Sequence, residues 1–352
     1  MKDLEFPVIG TKTKGPIKEF DLNSPSGRRK YFKAKAGDEI AIIKKYLRDK
    51  TFIAYWIGKK NSGKGTYSRL FTEVFGEDKV ELVSVGDLIR EADNWKVFTK
   101  TKKYKLLKKY YRGYISFEDA VDAHLGRSTA KLLPTEFIMA LLKAHLEGLE
   151  GKTVFIDGLP RETDQVSYSL FFRDLIAYRD DPDLFVLIDL PESVIEERIK
   201  YRVVCPKCKT SRNKKLLISS KVEHQDGEFF LLCDNPDCKG ARMEAKEGDD
   251  KGIAPIKHRL DKDEEIIKTV FSLYGVPKVL MRNNVPKQDG LKLFDKYEIT
   301  PEYGFKLVGS KVKVIEKPWT ITDDNGIESY SLLAAPVFVS MIKQLADILS
   351  NL

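Results

Sequence analysis

The amino-acid sequence predicts an α/β fold in which a parallel sheet carries helices on both faces. Three observations predict it: apolar runs alternate with helical patterns, a glycine-rich turn follows the first run, and all four cysteines lie in one late segment. The candidate strands are residues 51–58, 80–83, 153–157, 184–190 and 278–282. The candidate helices between them are residues 66–75, 135–149, 164–178 and 193–201. Near-continuous apolar runs are typical of parallel strands buried on both faces, and ligands bind at the carboxyl ends of such strands.

The chain on either side of this alternation has a different character. Residues 1–50 are mixed and predict turns with a short strand or two, followed by a helix near 38–49. After residue 290, residues 306–315 predict a β-hairpin and residues 332–352 predict a closing amphipathic helix. The expected divisions are an N-terminal extension at 1–50, a core at 51–290 and a C-terminal extension at 291–352.

Composition bounds the class of protein. The chain has 352 residues, with 61 basic and 53 acidic side chains, a net charge of +8 and 42% apolar residues. It has no run of about 18 apolar residues that would span a membrane, and its first residues lack the apolar stretch of a signal peptide. We therefore expect a cytoplasmic protein with a substantial core. The positive charge suits anionic ligands, and nucleotides alone would account for it.

A phosphate-binding loop is the strongest single feature of the sequence. The first apolar run leads into GKKNSGKGT, residues 58–66. Glycine lets the backbone curl so that successive N–H groups face one anion, and the helix that follows directs its positive end to the same place. Lys64 adds a full charge that reaches the terminal phosphates, and Thr66 or its neighbours lie near Mg²⁺.

Two positions of this loop depart from the common pattern. Gly65 stands where serine or threonine is usual, and Asn61 occupies a turn position where glycine is frequent. Asparagine tolerates the left-handed conformation better than most residues, so the turn can form. The alternative interpretation is a surface turn rich in glycine and lysine. The strand before it and the helical pattern after it favour phosphate binding.

The cysteines predict a structural metal site. Cys205 and Cys208 form a C-x2-C pair, and Cys233 and Cys238 form a C-x4-C pair after the spacer 209–232. Two such pairs close a tetrahedral shell of four thiolates with no open position, which is typical of structural zinc. Two disulfides are the alternative, and the absence of a signal peptide favours zinc.

Charged side chains also lie at or just past the ends of predicted elements, in residues 84–90, 157–165 and 196–202. The carboxylates are Asp87 and Asp157, and the arginines are Arg90, Arg161, Arg198 and Arg202. An aspartate at a strand end holds Mg²⁺ through water, and an arginine there clamps a phosphate bidentately. Each segment taken alone fits an ordinary surface turn or a solvated helix face equally well.

Together these motifs resemble those of the adenylate kinases, within the nucleoside monophosphate kinases. The family's segments read G-x-G-K-G-T, T-G-D-[ML]-[LI]-R, D-G-[FY]-P-R-x-x-x-Q and E-R-[IL]-x-x-R. The matching positions are residues 62–66, 85–90, 157–165 and 197–202, with Leu159 at the aromatic position. Four-cysteine zinc sites follow the last segment directly in many bacterial members, as here. The resemblance covers roughly residues 51–285.

The resemblance implies a P-loop NTPase-like fold with two insertions, a monophosphate-binding arm at 84–150 and a zinc-ribbon lid at 203–258, hereafter the lid segment. It implies reversible phosphoryl transfer from MgATP to AMP, giving two ADP, and we expect a monomer. The cationic side chains of the motifs suit this reaction, because negative charge is spread over the transferring group in the transition state. Cations stabilise that charge, and no covalent intermediate is needed. A closing lid excludes water that would otherwise hydrolyse ATP.

The resemblance also implies roles for individual residues. The implied ATP ligands are Gly58, Ser62, Gly63, Lys64, Gly65, Thr66 and Arg198, with Arg198 stacked on the base. The implied AMP ligands are Val85, Gly86, Arg90, Gly158, Arg161 and Gln165, with Gln165 reading the adenine. The implied catalytic cations are Lys64, Arg90, Arg161, Arg202 and Arg259. Asp157, together with Asp87, would hold the water shell of Mg²⁺, and the four cysteines would hold Zn²⁺.

Some positions depart from the family pattern. Val85 replaces a threonine that helps to recognise adenine, which leaves a kinase for another monophosphate open, whereas Gln165 argues for adenine. The family's lid carries R-x-D-D, and Glu247 stands where this arginine would be, with Lys246 beside it. Arg259 restores a second lid arginine at an offset of one residue. Lower turnover than in a standard member is expected.

The monophosphate-binding arm contains a basic stretch. Residues 94–117 include no acid, eight basic residues and the tyrosines Tyr104, Tyr110, Tyr111 and Tyr114. Such a pattern binds nucleic acid by phosphate contact and stacking. We favour a solvated basic helix whose tyrosines pack inward. A nucleotide-binding regulatory or RNA-binding protein with weak or no transferase activity is the alternative from a different functional class.

Overall fold

The computed structural model of the protein describes residues 1–13, 15, 18–126, 133–147, 149, 151–163, 165–167 and 181–351. The helix predicted at 164–178 lies outside these residues apart from 165–167. No helix in the described ranges is both long enough and apolar enough to cross a membrane.

A five-stranded parallel sheet forms the centre of the molecule. Its strands are β1 Ile53–Gly58, β2 Val80–Ser84, β3 Thr153–Asp157, β4 Asp183–Asp189 and β10 Lys278–Arg282. Their order across the sheet is β10-β4-β1-β3-β2. In this register Ala54 lies beside Phe155 on one side and Leu184 on the other. The predicted parallel sheet is therefore confirmed, with small differences only at strand ends.

Helices cover both faces of this sheet. They are α1 Pro25–Asp49, α2 Lys64–Phe75, α3 Val85–Asp93, α4 Trp95–Phe98, α5 Lys102–Tyr110, α6 Phe117–Leu125, α7 Thr135–Leu146, α8 Glu192–Lys200, α9 Lys257–Ser272, α10 Lys287–Leu293 and α11 Ala334–Ser350. Along β1, Ile53 and Tyr55 belong to a core shared with α7 and α9, whereas Ala54 and Trp56 belong to one shared with α1, α2 and α11. The alternation follows from the two-residue period of a strand.

The N-terminal helix begins earlier than the sequence predicts. The Ser24 side chain accepts a hydrogen bond from the Gly27 N–H at 3.1 Å, and Pro25 occupies the start of the helix. Serine caps helices and proline suits the first position, so a segment expected to form turns is helical instead. The backbone leaves helical geometry at Ala36, just before the predicted start. The described part of residues 1–50 contains no strand.

Smaller antiparallel sheets lie outside the centre. The lid segment and its entrance contain β5 Arg202–Val204, β6 Ser211–Asn213, β7 Lys221–Gln225, β8 Glu228–Leu232 and β9 Glu244–Ala245. The C-terminal part contains β11 Asn284–Pro286, β12 Pro301–Val308, β13 Lys311–Pro318, β14 Thr320–Thr322 and β15 Glu328–Ser331. Strands β12 and β13 pair over their full lengths. The predicted C-terminal hairpin therefore forms and is longer than the segment 306–315.

The final helix α11 packs on the central sheet. The Phe338 ring lies 5.0 Å from that of Phe32 and 6.4 Å from that of Phe71. The Gln344 side chain accepts from the Leu280 N–H at 2.9 Å and donates to the Leu280 carbonyl at 2.8 Å. Because β10 is an edge strand, this amide satisfies backbone groups that would otherwise face solvent. The C-terminal part of the chain thus contributes to the main core.

Candidate active site

The phosphate loop joins β1 to α2. Asn61 (φ 66°) and Gly63 (φ 99°) both adopt the left-handed conformation that the loop requires. Gly63 caps α2 without a side-chain hydrogen bond, so the amide end of the helix is open to an anion. A β-carbon at Gly58 would lie 2.7 Å from the Ser62 Oγ, so the loop closes tightly on the end of β1. The local geometry is that of an anion cradle.

Lys64 lies at the first position of α2 and points back across the loop. Its Nζ donates to the Gly58 carbonyl at 2.8 Å and lies 3.8 Å from Asp157 Oδ1 at the end of β3. Burial lowers the pKa of Lys64, and the Asp157 charge opposes that shift. A desolvated ammonium held 3.8 Å from the Asp157 carboxylate is incompletely neutralised, so an incoming phosphate is a favourable partner for it.

A cavity of about 700 Å³ opens above this loop. The predicted site residues that line it are Gly58, Ser62, Gly63, Lys64, Gly65, Thr66, Asp157, Gly158, Arg161, Arg198, Arg202 and Arg259. The fold thus brings together residues that are widely separated in the sequence. Burial also lowers the pKa values of Arg161 and Arg198. Cations that share one desolvated cleft repel each other until a polyanion binds.

A second group of predicted residues lies around two glycines. A β-carbon at Gly86 would lie 3.4 Å from the Arg90 guanidinium and 3.6 Å from that of Arg161. A β-carbon at Gly158 would lie 3.1 Å from the Arg161 guanidinium and 3.4 Å from the Val85 β-carbon. The two arginines therefore converge over surfaces that any larger residue would obstruct. Two guanidinium groups in this arrangement suit a single phosphate.

Gln165 and Asp87 have partners within the protein. The Gln165 side chain accepts from the Arg161 N–H at 2.8 Å and donates to the Thr135 hydroxyl at 3.1 Å. It therefore holds the backbone of Arg161 in place. Asp87 accepts a hydrogen bond from Arg90, which lowers the pKa of the Asp87 carboxyl. Asp157 lies in the cavity beside Lys64, whereas Asp87 is exposed on α3.

Arg202 and Arg259 directly precede and follow the lid segment in the sequence. Arg202 makes two hydrogen bonds of 2.6 Å with the buried carboxylate of Asp249. Glu247 and Lys246, just before it, are both exposed. Arg259 lies in the first turn of α9 and lines the cavity. Arg202 and Arg259 thus both bring positive charge to the cavity.

A smaller cavity of about 310 Å³ adjoins the phosphate loop. It shares Ser62, Gly63, Thr66, Arg198 and Arg202 with the larger cavity. Its other walls come from the lid segment and the C-terminal part of the chain, through Leu216, Leu217, Asn283, Thr300, Leu332, Leu333 and Ala334. No local pattern in the sequence predicts this contribution, because these residues meet the loop only through tertiary packing.

Asp263 is a site residue that the sequence motifs do not include. It lines the larger cavity, and its carboxylate accepts from the Lys60 N–H of the phosphate loop at 2.8 Å. Burial raises the pKa of the Asp263 carboxyl, and the charges of Lys64 and Arg259 oppose that shift. Asp263 follows Arg259 by four residues on α9, so the helical period could have placed both on one face.

Lys59 anchors the first half of the loop. Its side chain is 1% exposed, and its Nζ lies 3.0 Å from Glu192, 2.8 Å from Glu264 and 3.6 Å from Asp324. These carboxylates come from α8, α9 and the turn between β14 and β15. A buried ammonium with several charged partners fixes the elements that carry them. Lys59 is therefore a structural lysine.

The four cysteines form one cluster. The sulfur atoms of Cys205, Cys208, Cys233 and Cys238 all lie within 4.8 Å of one another, and none is in a disulfide. Sulfurs around a tetrahedral zinc lie about 3.8 Å apart for bonds of about 2.3 Å, so the cluster fits such an ion. The alternative of two disulfides does not form in this structure.

The basic stretch at residues 94–117 turns most of its aromatic residues inward. Leu107 and Tyr111 are buried in the core beneath β1 and β3, and Tyr104 packs against the same core. The Tyr110 hydroxyl donates a hydrogen bond to Glu147, and the Lys143 ammonium lies over the Tyr110 ring. Tyr114 is fully exposed. A stacking platform needs several free aromatic faces, so this geometry supports the solvated helix.

The known proteins to which this chain is similar are adenylate kinases. No family model matches the chain. It is similar to the adenylate kinase of Thermotoga neapolitana, with 27% identity over 228 residues that cover 64% of this chain and 87% of that protein. The adenylate kinase of Mesoplasma florum is 28% identical over 179 residues, 51% of this chain and 68% of that protein. That of Syntrophomonas wolfei is 25% identical over 225 residues, with 64% and 87% covered.

Proposed function

We propose that this chain, which is similar to adenylate kinases at 25–28% identity, is a nucleoside monophosphate phosphotransferase that transfers the γ-phosphoryl group of MgATP reversibly to AMP, giving two ADP. One observation carries the proposal. Lys64, Arg161, Arg202 and Arg259 line a single desolvated cavity at the carboxyl ends of parallel strands. A charge distribution of this kind stabilises a transferring phosphoryl group better than it stabilises either nucleotide alone.

On the ATP side, the phosphate loop and Lys64 bind the β- and γ-phosphates. The open amide end of α2 supplies oriented dipoles, and the desolvated ammonium supplies a full charge. Arg198 donates to the Asn61 carbonyl at 3.3 Å and lines the adjoining smaller cavity. This position supports stacking of Arg198 on the adenine of ATP, with the apolar walls of that cavity on the other side of the base.

On the monophosphate side, Arg90 and Arg161 bind the phosphate of AMP. Their guanidinium groups lie against Gly86 and Gly158, which leave room for the ligand. Arg90 releases Asp87 when the phosphate arrives, because a dianion competes well with an exposed carboxylate. Gln165 fixes Arg161 and would read the adenine after its hydrogen bonds rearrange.

The transfer itself needs charge neutralisation and the exclusion of water. Arg202 and Arg259 bind the moving phosphoryl group as the lid segment closes, and Asp249 keeps Arg202 oriented through its Nε and Nη2 groups. Asp157 would hold the water shell of Mg²⁺, and the ion would neutralise negative charge on the phosphates of ATP. Zn²⁺ held by the four cysteines would stabilise the lid segment and take no part in the chemistry. The cytoplasmic location, the monomeric state and the divisions at residues 50 and 290 stay predictions.

A different monophosphate is a second candidate substrate. Val85 is 1% exposed, its β-carbon lies 3.4 Å from the place that a β-carbon at Gly158 would occupy, and its side chain cannot form a hydrogen bond. Its position supports a looser preference for adenine than a threonine would give. The reaction and the phosphate contacts would be the same.

The test is phosphoryl transfer from MgATP to AMP, CMP, UMP and GMP in turn, with nucleoside diphosphates measured by chromatography. We expect the highest kcat/KM with AMP. Faster transfer to another monophosphate would keep the reaction and change the substrate. ATP binding without transfer to any of the four would contradict the proposal and favour a regulatory nucleotide-binding protein.

A further inference from the structure

The C-terminal hairpin, β12–β13 (residues 301–318), lies between the core and the lid segment. Its base is tied to the core, because the Thr300 N–H donates to the Ser331 carbonyl at 2.8 Å and the Trp319 N–H donates to the Thr300 carbonyl at 2.9 Å. The neighbouring Ile299 and Leu332 are buried in the same core as α11. The hairpin therefore projects from a fixed base.

The hairpin binds the lid segment through Lys215. The Tyr303 N–H donates to the Lys215 carbonyl at 2.7 Å, and the Glu302 carboxylate lies 3.3 Å from the Lys215 Nζ. The same ammonium pairs with Glu197 at 2.5 Å. Glu197 directly precedes Arg198 on α8. One lysine thus joins the hairpin to the helix that carries the ATP-side arginine.

Apolar contacts support these polar ones. The Phe305 ring lies 5.5 Å from the Phe229 ring, and Phe305 packs against the core around the four cysteines. Trp319, which is 2% exposed, shares a second cluster with Leu216 of the lid segment and Val194 of α8. The contacts therefore lie both near the four cysteines and around Leu216, between the lid segment and α8.

We propose that the C-terminal hairpin is a brace that holds the lid segment over the phosphate loop, and that Glu302 and Phe305 are positioning residues for MgATP. They act through Lys215, Glu197 and Phe229 to fix Arg198 and Arg202, and they touch no substrate. This inference rests on the proposed function, since it assigns the brace to the ATP side of that reaction.

The brace should raise the apparent affinity of the protein for MgATP. A lid segment that swings freely spends less time in the conformation that binds MgATP, and the apparent affinity falls by that fraction. The AMP-binding arginines Arg90 and Arg161 lie on other elements, so the affinity for AMP is unaffected. A purely structural role would instead lower stability and affect both substrates together.

The test compares Glu302→Gln, Phe305→Ala and the double variant with wild type. Lys313→Ala is the matched control, because Lys313 is exposed on β13 and pairs in the hairpin register with Lys306 rather than with Glu302 or Phe305. We expect the double variant to raise KM for MgATP about fivefold and to leave KM for AMP within about twofold. Hydrogen–deuterium exchange of residues 202–217 should be faster in the nucleotide-free double variant and unchanged in the control.

Either of two results would overturn the brace: unchanged KM for MgATP with unchanged exchange at 202–217, or equal increases in both KM values together with a lower Tm. Glu302→Gln alone keeps the test valid if Phe305→Ala fails to fold. If wild type shows no phosphoryl transfer, the proposed function fails. Calorimetric affinity for MgATP and the exchange measurement then still decide whether the brace exists.

Discussion

Arg202 and Asp249 form a bidentate ion pair in which both hydrogen bonds measure 2.6 Å. The pair raises the pKa of Arg202 and fixes the direction of its guanidinium group. Arg202 lies at the start of β5, and Asp249 lies at the far end of the lid segment. The pair therefore ties the two ends of the lid segment together beside the phosphate cavity.

We predict that Asp249→Asn lowers kcat about tenfold, because asparagine accepts one hydrogen bond and loses the bidentate geometry that orients Arg202. The measurement is the initial rate at saturating MgATP and AMP. Asp250→Asn is the matched control, since its carboxylate is exposed and next in the chain. Equal rates for the two variants would show that the pair does not orient Arg202 for transfer.

Lys64→Met is expected to lower kcat at least about a thousandfold, since the loop lysine neutralises charge on the transferring group. Burial lowers the pKa of Lys64 in the folded protein, so its charge is disfavoured by folding and its removal should leave Tm unchanged or raise it. Lys45→Met, at an exposed position on α1, controls for the loss of one positive charge. Substantial turnover by Lys64→Met would remove Lys64 from the active site.

Asp263→Asn tests the carboxylate that the motifs did not identify. Burial raises the pKa of Asp263 above 3.8, so ionisation of this group opposes folding. Wild type should therefore lose stability relative to the variant as the pH rises from 3.8 through the higher pKa of the folded state. The measurement is urea unfolding of both proteins across this range. A stability difference that does not change with pH would contradict the assignment of a raised pKa.

Cys208→Ser is expected to release the bound metal and lower Tm, because a three-thiolate site binds zinc more weakly and the lid segment has little core of its own. Metal content is measured by mass spectrometry of the purified protein. Ser211→Ala, in the same segment and outside the cluster, should retain a full complement of zinc. Purified wild type with no metal, or full occupancy in Cys208→Ser, would refute a four-cysteine site.

The sequence predicts the central sheet well because its strands are continuous apolar runs. Residues 184–190 are one such run, and β4 occupies Asp183–Asp189. The sequence does not predict the start of α1, because Pro25 and Gly27 are also typical of turns. In the structure the Ser24 side chain caps the helix by accepting a hydrogen bond from the Gly27 N–H, and Pro25 occupies the first turn. Local composition cannot distinguish a turn from a helix start where only the capping hydrogen bond separates the two.

The site was predictable where it is built from contiguous motifs. Residues 58–66 match the spacing of a phosphate-binding loop. Residues 157–165 place a carboxylate and an arginine at the end of a strand, where they can hold Mg²⁺ and phosphate. Asp263 and Thr300 enter the site only after α9 and the C-terminal part of the chain have folded against the loop. The docking of Phe305 on the lid segment likewise depends on two segments that are distant in sequence. Contacts of this kind leave no periodicity or motif to detect.

The most direct test of the central proposal is the stoichiometry of the reaction, followed by ³¹P NMR with purified protein, MgATP and AMP. We predict that each ATP consumed with one AMP yields two ADP, without release of inorganic phosphate. Formation of inorganic phosphate in step with ATP loss, or ATP binding with no ADP formed, would contradict phosphoryl transfer in this cavity.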